Sequence, residues 1–148
     1  MTGGFGVDCF YFSKYFKSVT HCEIDEELSE IVAHNYIQLK SDFINTVNSD
    51  GLKYLEASKN QFDWIYIDPS RRHNRKGKVF FLNDCLPKIP IHLNTYFEKT
   101  DNILIKTSPL LDISVGISEL KYIKHIHIIA VNNEVKELLW ILEKGYSE

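Results

Sequence analysis

Four short stretches of the chain carry residue types and spacings suited to chemistry. The first is Thr2-Gly3-Gly4-Phe5-Gly6-Val7-Asp8. Glycines there let a ligand approach the backbone, and a helix starting behind them offers amide N–H groups. The same loop reads equally as a plain tight turn. Taken as a dinucleotide fingerprint, it puts Cys9 where glycine or alanine is expected, which counts against nicotinamide or flavin. No Gly-Lys-Ser/Thr occurs, so a phosphate-binding P-loop is excluded. The second stretch is Glu23 with Ile24, 17 residues beyond Gly6. An acid at that strand end can accept both hydroxyl protons of a ribose. The bland reading is an exposed carboxylate among Asp25, Glu26 and Glu27. The third is Asp50-Gly51, where a carboxylate could take an adenine amino group or simply make a common turn. The fourth is Asp68-Pro69-Ser70-Arg71-Arg72, directly after the strand-like FDWIYI. Ligands of open α/β sheets sit beyond the carboxyl ends of the strands, where Asp68 points, and Pro69 stiffens the backbone beside it.

A basic run follows. Arg71, Arg72, Arg75, Lys76 and Lys78 are five of the seventeen positive charges, without an acid among them. The remainder then has twelve positive charges against twenty negative, or −8, so positive charge is focused beside the fourth stretch. That suits a phosphate-bearing partner. A solvated loop is the competing reading. His125 and His127 share one strand face, but no third ligand is near in sequence, so no metal site is expected. Cys9, Cys22 and Cys85 form no CxxC pair, and Cys9 and Cys22 read as buried small residues.

The elements that must hold these residues alternate in type. Strands are expected over Ser18–Glu23, Phe43–Asn48, Phe62–Ile67, Asn102–Lys106 and His125–Val131. Helices are expected after Asp25, over Leu52–Ala57, over Ile91–Phe97, and as a closing segment over Glu134–Leu142. Such alternation predicts a doubly wound, mainly parallel α/β sheet. The length of 148 residues suits one domain, and 44% apolar with 25% charged residues excludes intrinsic disorder. A net charge of −3 excludes a uniformly basic nucleic-acid binder. No apolar run approaches a membrane span, no signal peptide opens the chain, and a cytoplasmic protein is expected. Only Met1 precedes the glycine loop, whereas this architecture puts a central strand there. The chain therefore reads as a fragment, one domain over 1–148 truncated at both ends, without the first and last strands.

In this order on successive strand ends, the four stretches resemble those of class I, Rossmann-like S-adenosylmethionine-dependent methyltransferases. TGGFG resembles the glycine loop of motif I, Glu23 the ribose-binding acid, Asp50 the adenine-side acid, and DPSRR the Asn/Asp-Pro-Pro-aromatic tetrad of motif IV. The likeness is closer to a bacterial group with DP-small-RR at that place, some of which carry a THUMP-like RNA-binding region. Lys106-Thr107-Ser108-Pro109-Leu110-Leu111-Asp112 also resembles the segment after strand five in that group. The resemblance implies S-adenosyl-L-methionine as cofactor, held by Thr2, Gly3, Gly4, Gly6, Glu23, Ile24, Asp50 and Gly51. It implies transfer at Asp68, Pro69 and Ser70, and RNA (rRNA or tRNA) steered by Arg71, Arg72, Arg75, Lys76 and Lys78. Ser70 replaces the second proline, and Arg71 stands where base-amine enzymes stack an aromatic; Phe80 or Phe81 are the nearby substitutes. Those departures keep a second reading open, a non-catalytic RNA-binding module on the same fold. A nicotinamide-dependent oxidoreductase is the third.

Overall fold

The computed structural model describes residues 2–71 and 81–147, which fall into two compact units, 1–58 and 59–148. In the first unit the glycine loop leads into helix α1 (Val7–Phe12) and strand β1 (Val19–Glu23). Helix α2 (Glu26–Gln38) starts where the Asp25 side chain accepts the Leu28 N–H at 2.9 Å, with Glu26 and Glu27 on the favourable end of the helix dipole. Strand β2 (Ile44–Asn48) pairs with β1 in parallel, Val19 opposite Ile44 and Glu23 opposite Asn48. Helix α3 (Gly51–Ala57) follows. Cys9, Val32 and Tyr36 form the core of this unit, packed by Phe10, Val19, Leu28 and Ile44.

The second unit opens with β3 (Ile65–Ile67), shorter than the expected Phe62–Ile67 because the Phe62 N–H bonds the Lys99 carbonyl instead. Ser70 and Arg71 form β4, which pairs antiparallel with β5 (Cys85–Leu86) after a 3-10 turn over Leu82–Asp84. Helix α4 (Ile89–Phe97) buries Ile89, Leu93, Tyr96 and Phe97. Strand β6 (Asn102–Thr107), helix α5 (Ile113–Glu119), β7 (Ile123–Val131) and β8 (Glu134–Glu143) complete the unit. Its sheet runs β3-β6-β8-β7, parallel between β3 and β6 and antiparallel elsewhere. No described strand joins β1 to β3.

Two expectations are corrected. The closing segment is a strand and not a helix, and the sheet is consequently mixed and not mainly parallel. Val135, Leu138, Leu139 and Leu142 do fit a helical stripe, but Leu138, Trp140 and Leu142 alternate into the core at 3% exposure or less. Asn132 and Asn133 take positive φ of 52° and 64°, the left-handed pair that closes a tight hairpin. That turn sends β8 back between β6 and β7. No helix among the described residues is long and apolar enough to cross a membrane.

Candidate functional site

The first unit gathers one set of expected residues at the carboxyl ends of β1 and β2. Four hydrogen bonds fix the glycine loop. The Gly3 N–H donates to the Cys22 carbonyl at 2.8 Å, and the Gly6 N–H to the Gly3 carbonyl at 3.0 Å. The Gly4 N–H donates to Glu23 Oε2 at 2.7 Å, and the Tyr36 hydroxyl to the Gly6 carbonyl at 2.8 Å. Glycine is required twice over. Gly6 sits at φ 73°, and a Cβ there would lie 2.0 Å from the Tyr36 hydroxyl oxygen. A Cβ on Gly3 would lie 2.2 Å from His21 Nε2. Gly4, at φ 51°, is different: nothing stands within 4 Å of where its Cβ would be, so one side of the loop is bare backbone.

Glu23 ends β1 with both oxygens engaged by main chain. Its Oε1 accepts the Asp25 N–H at 3.0 Å, while Oε2 holds Gly4. Each carboxylate oxygen has two lone-pair sites, so acceptor capacity remains for hydroxyl donors. Ile24 beside it is 70% exposed, an uncovered apolar side chain at the same edge. The neighbouring strand end is tied in by Asn48, whose amide donates to the Glu23 and Ile24 carbonyls at 3.1 and 3.3 Å. Asp50 Oδ1 accepts the Leu52 and Lys53 N–H groups at 2.8 and 3.1 Å, so this acid caps α3, and Gly51 is buried at the first helical position.

Beneath the loop lies His21, 1% exposed and with neither ring nitrogen hydrogen-bonded. Burial pushes its imidazole below the ordinary range, with the Gly3 and Gly4 main chain and, more weakly, Glu23 acting in the opposite sense. Burial also raises the Cys9 and Cys22 thiols and the Tyr36 phenol, so all three are held neutral inside the unit.

The second unit carries the other set. Asp68 follows β3 directly, Pro69 stops the ladder, and Ser70 and Arg71 turn into β4 with the Ser70 hydroxyl 3.4 Å from the Leu86 carbonyl. Asp68 Oδ2 makes an ion pair with Lys106 Nζ at 2.9 Å. Sequence reasoning quoted Lys106 only as part of a resembling segment and missed this contact. The parallel register contains it: Ile67 stands opposite Ile105, so the next residues, Asp68 and Lys106, are neighbours. Arg72, Arg75, Lys76, Lys78 and Phe80 lie outside the described residues. Phe81 is 41% exposed. His125 and His127 are exposed with ring centroids 6.0 Å apart, and no cluster of three metal-ligating side chains occurs among the described residues.

Solved structures share this architecture. A candidate methyltransferase from Porphyromonas gingivalis superposes with a TM-score of 0.83 at 27% identity, over 99% of this chain and 36% of that one. The chain thus spans about a third of that protein's length. An rRNA methylase from Streptococcus thermophilus matches over 97% of this chain and 84% of that one, with a TM-score of 0.66 and 10% identity. TrmK of M. capricolum, solved with S-adenosyl-homocysteine, matches over 89% of this chain and 54% of its own, with a TM-score of 0.61 and 18% identity. No protein-family model and no curated protein sequence matches the chain. The fold is that of a methyltransferase domain.

Proposed function

We propose that the chain is a catalytic methyltransferase domain that uses S-adenosyl-L-methionine and acts on RNA. One observation carries the reading: a glycine loop bare on one side at Gly4 is latched by its amide to the acid that ends the neighbouring strand. A loop fixed in that way can lie against a ligand's polar backbone while the same acid accepts ribose hydroxyls. The residues present fit the cofactor. Thr2, Gly3, Gly4 and Gly6 would lie along it, Glu23 would hold its ribose, Ile24 would cover a face of the adenine, and Asp50 with Gly51 would close the edge. The cofactor, when bound, supplies an electrophilic methyl group on a sulfonium.

Asp68 and Pro69 would orient the nucleophile, with Ser70 in place of a second proline at the start of β4. Fixing the partners is the larger part of such catalysis, because the sulfonium already supplies the driving force. Arg71, Arg72, Arg75, Lys76 and Lys78 would neutralise RNA phosphates. One of the structural neighbours, the S. thermophilus rRNA methylase, supports RNA as the substrate class, and TrmK, solved with S-adenosyl-homocysteine, supports the cofactor.

The rival reading, an RNA-binding module without activity, is favoured by Arg71 at the tetrad's aromatic position. Calorimetric titration separates the two. The enzyme binds S-adenosylmethionine, a bare RNA-binding module binds no cofactor, and an oxidoreductase binds NADH. RNA binding is tested by a salt series on filters. Replacing Arg75, Lys76 and Lys78 by Ala should lower the log–log salt slope by roughly one unit per lost phosphate contact and leave cofactor affinity intact. An unchanged slope would return the run to a solvated loop.

A further inference from the structure

Resting on the cofactor reading above, we propose that His21 is a positioning residue for the glycine loop. Its neutral ring supports the ligand-binding form of the loop, and a proton on that ring opposes ligand binding. The two ends of the loop rest on two buried side chains. At the first end Gly3 lies against the imidazole, so closely that a Cβ would stand 2.2 Å from Nε2 and 2.4 Å from Cε1. At the second end the Tyr36 hydroxyl donates to the Gly6 carbonyl at 2.8 Å. The two rings meet edge to face, with 5.8 Å between centroids and 82° between planes. Between these supports, Gly4 gives its N–H to Glu23 at 2.7 Å. The loop's hold on the acid therefore depends on a ring that is itself 1% exposed.

Neither nitrogen of that ring makes a well-aligned hydrogen bond. A neutral imidazole can be buried so, but an imidazolium carries two N–H donors and a charge that must be met. The main chain of Gly3 and Gly4 is beside it. The Gly3 carbonyl, however, already accepts the Gly6 N–H at 3.0 Å and so closes the loop. A proton on His21 draws that carbonyl toward the ring and competes with the closure. The other groups around it are neutral, committed or of like charge. Strand β2 sets the uncharged Thr46 opposite His21, and α3 buries Gly51 and Leu55. Cys9 from α1, Tyr36 from α2 and Cys22 from β1 are kept neutral by burial. Glu23 favours the proton but is engaged by two main-chain N–H groups, and the chain's amino terminus opposes it. A ligand lying on the loop stabilises the form made with the neutral ring. Binding and protonation are thus linked, and each weakens the other by the same factor. Burial lowers the folded ring's affinity for a proton, so the effect begins below about pH 6.5. From there it grows by at most roughly tenfold in ligand affinity per pH unit.

Two measurements on the whole chain test this without an acceptor. Calorimetry gives dissociation constants for S-adenosylhomocysteine between about pH 7.5 and about pH 5, with the unmodified chain and with His21→Leu. Affinity should fall toward acid by at least about threefold more in the unmodified chain, because titrating groups common to both proteins cancel. NMR follows the His21 ring, identified by the signal that His21→Leu lacks, through an acid titration with and without the ligand. Saturating ligand should move its midpoint down by about half a pH unit or more, the reciprocal of the threefold change. Equal pH profiles in the two proteins, including a weakening by one factor at every pH, overturn the proposal and leave His21 a packing residue. So does a ring that fails to titrate in the folded chain, or a midpoint that the ligand does not move. Should His21→Leu lose cooperative unfolding, single-site labelling of the histidines identifies the ring and its midpoint decides alone. Failure of the unmodified chain to bind S-adenosylhomocysteine at about pH 7.5 overturns the cofactor reading itself, and this inference with it.

Discussion

Two carboxylates end two strands, and they are held in opposite ways. Glu23 is bound by main-chain N–H groups, at 2.7 Å from Gly4 and 3.0 Å from Asp25. Asp68 is bound by a side chain, the Lys106 ammonium at 2.9 Å. Amide donors carry only partial charge, so Glu23 keeps its anionic character while its geometry is fixed by the fold. An ammonium cancels charge, and it is placed by a flexible stem that costs rotamer freedom to hold. The first arrangement suits a site that must accept hydroxyl protons in one orientation. The second suits a site that must handle a charge appearing on one partner and disappearing from the other. On the proposed function, rigid backbone chemistry would hold the cofactor and adjustable side-chain chemistry would serve the transfer.

The comparison breaks most visibly at Gly6. Gly6→Ala introduces a Cβ 2.0 Å from the Tyr36 hydroxyl at a φ of 73°, so left-handed strain adds to overpacking. A loss of about 2–4 kcal/mol is expected in urea unfolding. Gly4→Ala, with nothing within 4 Å of its Cβ, should cost only about 1 kcal/mol of stability and weaken cofactor binding far more. Equal stability losses at the two positions would show that the bare side of the loop is not a ligand face.

Next in size is Glu23→Ala. Charge-assisted hydrogen bonds are worth about 1.5–3 kcal/mol, so cofactor affinity should fall roughly tenfold or more by calorimetry. Glu23→Gln keeps an acceptor oxygen for Gly4 and should recover part of the loss. Unchanged affinity in both variants would remove Glu23 from the binding site.

How much of this was legible in the sequence follows the same division. Backbone-made features announce themselves through glycine and capping residues: the Gly3–Gly6 loop, the Asp25 cap and the β1, β2, β6 and β7 segments all lie where pattern and spacing put them. The Asp50 carboxylate shows how one residue supports two readings, since it caps α3 and still stands just past the carboxyl end of β2. Side-chain pairs need register, which composition does not display; the Asp68–Lys106 contact follows only once Ile67 is set against Ile105. The misread of Glu134–Leu142 has a different cause. Glu, Lys and Leu favour helix and the apolar residues satisfy both periods, so the deciding signal was the turn. Asn132-Asn133, able to take left-handed φ, specifies the hairpin against local propensity.

His21 sharpens the comparison through pH. Its imidazole is buried, makes no well-aligned hydrogen bond despite the Gly3 and Gly4 main chain beside it, and has its affinity for a proton lowered by burial. The unfolded chain therefore binds the proton more readily than the folded chain. Stability should fall as pH drops below the unfolded value of about 6.5, by at most roughly 1.4 kcal/mol per pH unit until the folded value is reached. His21→Leu should flatten that slope in urea unfolding between about pH 7.5 and 5. A slope unchanged by the substitution would assign it to other groups.

The smallest effect is expected at the side-chain end. The Asp68 side chain is 41% exposed and that of Lys106 21%, so solvent screens their attraction and each must surrender rotamer freedom to make it. Lys106→Met keeps most of the side chain's apolar length and removes the ammonium that faces Tyr66 and Asp68. Its cost to stability should stay below about 1 kcal/mol in urea unfolding. Raising ionic strength toward about 1 M, where the screening length is roughly 3 Å, should narrow even that difference. Asp68→Asn should behave alike, because the amide oxygen still accepts from the lysine. A loss comparable to that of Gly6→Ala would mean that the pair is a structural clamp, buried from solvent's influence, and the contrast between a rigid binding end and an adjustable transfer end would fail. A loss within the expected range leaves both variants folded and keeps the pair a solvent-screened contact, in contrast to the main-chain latch on Glu23.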